Sequence, residues 1–100
     1  MIVVNARIGT TPEAVEALRA AMIAMQAASL AEDGCEDYNF SVELADPGAI
    51  RITERWTSME ALAAHFQTPH MAEFQAAMQA HPPSDAAAHF YEATETEMPR

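Results

Sequence analysis

Glu54, Trp56, His65 and His70 fall within one short stretch of the chain. An imidazole titrates near neutrality and can take up or return a proton during a reaction. An indole beside it could wall a pocket for a flat substrate, or simply pack helix against sheet. Two histidines also raise metal binding, and their spacing counts against it. His65 and His70 are five residues apart, with the helix break Thr68–Pro69 between them. The i, i+4 placement that aims two imidazoles at one ion is therefore absent, and neither is expected to be a metal ligand. His81 and His89 flank a Pro-Pro connector without ligand spacing.

Other chemistries lack their residues. Cys35 is the lone cysteine and follows the acidic run "EDGC", which disfavours a thiolate and rules out an intrachain disulfide. Three glycines leave no phosphate-cradling loop, and no GxSxG elbow is present. No cofactor motif is found. Glu54 stands on an otherwise apolar strand face, where a partner within the fold is expected. Asn5 is the only polar amide of the first strand, with a strand-end contact as its plain role.

These residues need elements to hold them. "IVVNARI" (2–8) reads as a strand. Thr11 then serves as N-cap with Pro12 opening a helix, or Thr10 and Glu13 form a capping box. Val15, Leu18, Met22 and Met25 give that helix one buried stripe, and Gly34 suits its stop. From 37 to 44 the residues alternate, with Tyr38, Phe40, Val42 and Leu44 on one face. "ADPGA" (45–49) carries turn chemistry and "IRITERW" (50–56) returns as a second strand. Such a turn places Leu44 opposite Ile50, Phe40 opposite Glu54 and Tyr38 opposite Trp56. On the other face it pairs Glu43 with Arg51 and Asn39 with Arg55.

A helix over 57–66 is expected to bury Met59, Leu62 and Phe66, leaving His65 on the flank. Thr68 and Pro69 start another, with Met71, Phe74 and Met78 inside. A last strand falls over 88–97. The order β-α-β-β-α-α-β predicts an α+β, ferredoxin-like domain spanning 1–100, a four-stranded, mainly antiparallel sheet with helices on one face. Asn39, Ser41, Arg51, Thr53 and Arg55 would make the other face too mixed for a dry core and too rich for open solvent. A homodimer pairing two sheets would cover it.

The formal charge of −10, with five Lys plus Arg, excludes the basic footprint that nucleic acid or an anionic membrane requires. The first residues show no leader pattern and no apolar run reaches spanning length, so a cytoplasmic location is expected.

The run "ERWTSMEALAAHFQTPHMAEF", with the preceding "EDGCEDYNFSVELADPGAI", resembles the antibiotic biosynthesis monooxygenase family over most of residues 1–80. The resemblance implies a dimeric α+β barrel with a pocket between helices and sheet. It implies oxygenation of quinols, anthrones or similar electron-rich aromatics by O2, with no cofactor, the substrate anion itself reducing oxygen. On that footing Tyr38, Phe40, Trp56 and Phe66 would wall the pocket. His65 would accept the proton, Asn5 would orient the substrate oxygen or O2, and His70 would be a second contact to a phenolate. A haem-degrading branch of the same family is the rival enzyme. Asn5 matches its pattern, but His65 stands where that branch has Trp and Gln75 where it has the iron ligand. A non-catalytic small-molecule-binding or stress-related barrel is the reading from another class.

Overall fold

The computed structural model describes all residues, Met1–Arg100. Its elements are β1 (Ile2–Gly9), α1 (Pro12–Leu30), β2 (Cys35–Glu43), β3 (Asp46–Trp56), α2 (Met59–His65), α3 (Pro69–Ala80) and β4 (Asp85–Glu92). Capping side chains set where each helix begins. Thr11 is extended, and its Oγ1 accepts the Ala14 N–H at 3.1 Å just ahead of Pro12. Ser58 does the same for Ala61 at 3.1 Å, and Thr68 for Met71 at 3.2 Å.

The strands form one antiparallel sheet in the order β2-β3-β1-β4. This is the ferredoxin-like α+β arrangement. Val15, Leu18, Met22 and Met25 of α1 are buried against the sheet face that carries Val4, Ile50 and Trp56. The opposite face carries Asn5, Asn39, Ser41, Arg51 and Thr53, all exposed. Every residue of β4 is exposed as well, including Phe90 and Tyr91.

The β2–β3 pairing differs from the expected register by two residues. Val42 faces Ile50, Phe40 faces Ile52 and Tyr38 faces Glu54, while Cys35 lies opposite Trp56. The cause sits in residues 46–49, which extend β3 instead of forming a loop. Gly48 O accepts the Thr10 N–H at 2.8 Å, and a Cβ on Gly48 would lie 2.5 Å from Thr10 O, so this segment lies flat on the β1–α1 connection. The turn contracts to Leu44 and Ala45, with an irregularity between Val42 and Glu43. Because the slip is even, Tyr38, Phe40 and Val42 keep their expected face, whereas Leu44 leaves the strand for the turn and is fully exposed, and a bulge between Cys35 and Asp37 sets Cys35 opposite Trp56. Asn39 now faces Thr53, and Arg55 faces Asp37. Glu43 still binds Arg51 at 2.7 Å, diagonally, and also accepts from Arg7 Nε at 2.8 Å.

Two boundaries also move. β4 begins at Asp85 and ends at Glu92, earlier than the expected 88–97, because Ser84 N–H binds Gly9 O at 2.9 Å and starts the pairing there. Helix α1 stops at Leu30, and Gly34 lies beyond it in the turn at φ 83°. A Cβ on Gly34 would come within 2.6 Å of Ala61 Cβ and 2.8 Å of Thr57 Oγ1. That glycine lets the α1–β2 turn press against α2.

Candidate functional site

The turn that Gly34 admits carries Glu32 to the end of α2. There His65 Nδ1 lies 2.6 Å from Glu32 Oε2, and His70 Nε2 lies 2.8 Å from the same oxygen. Thr68 makes this convergence possible. Its hydroxyl donates to His65 O at 2.8 Å, closing α2, and accepts from Met71 N–H, opening α3. The break between the histidines, which in sequence counts against a shared partner, is what turns both rings towards one carboxylate. Ligand-type atoms of Glu32, His65 and His70 all lie within 4.8 Å of one another.

His65 is not on the flank of α2. It is 1% exposed, and with Leu62 it forms the buried side of that helix, whereas Met59 and Phe66 are 54% and 46% exposed. The buried stripe is therefore rotated by one position from the expected one. Glu32 explains the difference, because it satisfies the ring N–H that burial would otherwise strand. A carboxylate only accepts, so His65 donates from Nδ1 and His70 from Nε2. His65 Nε2 is buried and has no hydrogen-bond partner, and in the neutral ring it carries the lone pair.

Aromatic rings enclose that imidazole. Its centroid lies 4.7 Å from Trp56, 5.4 Å from Tyr38 and 5.6 Å from Phe66. Trp56 is fully buried, and its Nε1–H donates to Glu54 Oε1 at 2.9 Å. Glu54 thus has the partner expected of it. Burial pushes its carboxyl above the usual carboxylate range, partly offset by that indole hydrogen bond and by His65. Burial, and then Glu54, raise the Tyr38 hydroxyl as well. Cys35 is pushed up to about 11 by burial and then by Glu32 and Glu54, so its thiol stays protonated at neutral pH.

Phe40 is half-buried and packs on Phe74 at 5.4 Å. It lines a cleft of about 270 Å³ between α1 and β2, with Met22, Ile23 and Gln26. A second cleft, of about 350 Å³, separates α1 from α3 and is lined by His70, Phe74, Met25 and Glu73. Of the candidate residues, Tyr38, Trp56, His65, Phe66 and His70 come together, and Phe40 adjoins them. Asn5 does not. It alternates with the core residue Val4, is exposed, and pairs with Thr53 and His89 on the far sheet face. An arrangement with its amide beside His65 is corrected on that ground. Glu32 was missed in the sequence, where "EDG" reads only as an acidic helix end.

The chain's relatives carry the same architecture. Residues 1–77 match the sequence model of the antibiotic biosynthesis monooxygenase family. Rv0793 of Mycobacterium tuberculosis, provisionally named a monooxygenase, is 40% identical over 75 residues, covering 75% of this chain and 73% of its own. The solved structure of Rv0793 superposes with a TM-score of 0.84 at 29% identity, over 97% of this chain and 98% of that one. A structure from Deinococcus radiodurans, provisionally described as an antibiotic biosynthesis monooxygenase, gives a TM-score of 0.90 at 27% identity. It covers 100% of this chain and 99% of its own.

Proposed function

The chain belongs to the antibiotic biosynthesis monooxygenase family, and from that premise we propose that it oxygenates an electron-rich aromatic of the quinol or anthrone class without a cofactor. The observation that carries this reading is the buried Nε2 of His65, which has no hydrogen-bond partner and sits on an imidazole oriented by Glu32. Such a nitrogen is suited to take the proton of a substrate hydroxyl or activated methylene. The resulting carbanion or phenolate passes an electron to O2, and the two radicals join in a carbon–oxygen bond. The hydroperoxide so formed loses water and leaves a carbonyl. His65 returns its proton to the peroxide, one oxygen atom stays on the product as the carbonyl, the other departs as water, and the substrate supplies all four electrons that reduce O2.

On this reading His65 is the base, and Glu32 is a positioning residue that fixes its tautomer. Tyr38, Trp56, Phe40 and Phe66 form the wall against the substrate ring, and His70 stands at the mouth of the α1–α3 cleft. Asn5 has no part in the chemistry. The exposed far face of the sheet, which carries Tyr91 of β4 opposite Val3, supports a second copy of the chain as the partner. A monomeric mass by light scattering at micromolar concentration refutes that pairing.

Oxygen uptake by chelator-treated protein over a panel of hydroquinones, naphthols and anthrones tests the reaction. Uptake above autoxidation should fall at least ~100-fold in His65→Ala, the lower end for loss of a general base. Unchanged turnover in a folded His65→Ala removes His65 from the role. Absence of uptake over the whole panel refutes the substrate class.

A further inference from the structure

We propose that Glu32, His65 and His70 form a binding site for one first-row divalent cation of the zinc class. Two imidazole nitrogens and a carboxylate are the donor set that zinc, iron and copper accept, with water completing the coordination. The three groups already converge. His65 Nδ1 and His70 Nε2 share one oxygen at 2.6 and 2.8 Å, and all the ligand atoms lie within 4.8 Å of one another. A tetrahedral ion with bonds of about 2.0–2.1 Å sets its ligands roughly 3.3 Å apart, so each atom need shift by only about 1 Å or less.

The surroundings suit a cation. Glu32 pairs with no arginine, and its ionic contacts are the two imidazoles alone. Fifteen acidic residues against five basic ones leave the chain strongly negative. The site is closed inside and open outside. His65 is buried, whereas the Glu32 and His70 side chains are 14% and 21% exposed, which admits both the ion and its water. Trp56 and Tyr38 pack against the inner ring and hold its plane.

An ion on Nδ1 sends the ring proton of His65 to Nε2. That removes the lone pair which the proposed oxygenation uses, so metal-bound and base-competent forms exclude one another. This corollary alone rests on that reading; binding itself does not.

The test uses untagged, chelator-treated protein and reads no turnover. Zinc titrated by calorimetry should bind one ion per chain, and X-ray absorption at the zinc edge should find two imidazoles in the first shell. His70→Ala removes a partly exposed ligand and should weaken binding more than ~100-fold, beyond the loss typical of an outer-shell partner. The control variant His81→Ala/His89→Ala should bind as the parent does. No one-to-one binding, fewer than two imidazoles on the ion, or affinity kept in His70→Ala each overturns the proposal. The absorption measurement stands on the unaltered chain, so misfolding of a variant cannot rescue or sink it.

Discussion

Glu32→Ala should destabilise the fold far more than its place in a surface turn suggests, and His65→Phe should relieve part of the loss. The alanine leaves His65 Nδ1–H, in a ring 1% exposed, with no acceptor. A buried donor stripped of its partner costs about 1–3 kcal/mol, and with water shut out the upper half of that range applies, about 2–3 kcal/mol. His70 adds little, because its ring is partly exposed and rehydrates. His65→Phe alone costs about 1 kcal/mol, since Glu32 keeps His70 and some solvent. In the double variant no polar group is stranded, and the loss should stay near about 1–2 kcal/mol instead of the additive about 3–4 kcal/mol. Urea unfolding at neutral pH, followed by Trp56 fluorescence and far-UV circular dichroism, closes the cycle. Losses that add to within about 0.5 kcal/mol would refute the account of His65 as a donor held by Glu32.

Two further outcomes follow from the turn and strand beside that pair. Gly34→Ala forces a side chain into φ 83° and towards Ala61 and Thr57, and should lower stability by about 1–3 kcal/mol in calorimetric melting; an unshifted transition would contradict it. Cys35 should react slowly with iodoacetamide at neutral pH, its rate still climbing towards about 11, and a plateau near the ordinary 9.0 would count against burial as the cause. The sign for stability follows: the unfolded thiol ionises from about 9 while the folded one holds its proton, so stability falls as pH rises through that window to about 11.

Local signals in the chain were the readable ones. Thr11 and Thr68 each mark a helix start through a bond made within three residues, and the alternation from Tyr38 to Val42 places the sheet faces correctly. The hairpin register was not readable, because it depends on Gly48 lying against Thr10, a contact between distant segments. His65 shows the same limit. Apolar periodicity assigns the inner position to Phe66, and only Glu32, 33 residues away, makes the imidazole the better buried group. Trp56 and the histidines were legible as chemistry by their types. That His65 and His70 share a carboxylate was hidden by the very Thr68–Pro69 break that brings them together.

The bond from Glu32 to His65 spans the whole β2–β3 hairpin, so it closes a long loop that an unfolded chain has no reason to close. In the folded chain its two ends are held together by the hairpin between them and by α2 resting on the sheet. A partly folded chain therefore lacks the oriented imidazole altogether, whatever secondary structure it has gained. For a protein whose proposed chemistry hands electrons to oxygen, this makes assembly itself a safeguard. On that proposed chemistry, a copy that has not brought Glu32 to His65 lacks the oriented base, and with it the route to stray superoxide.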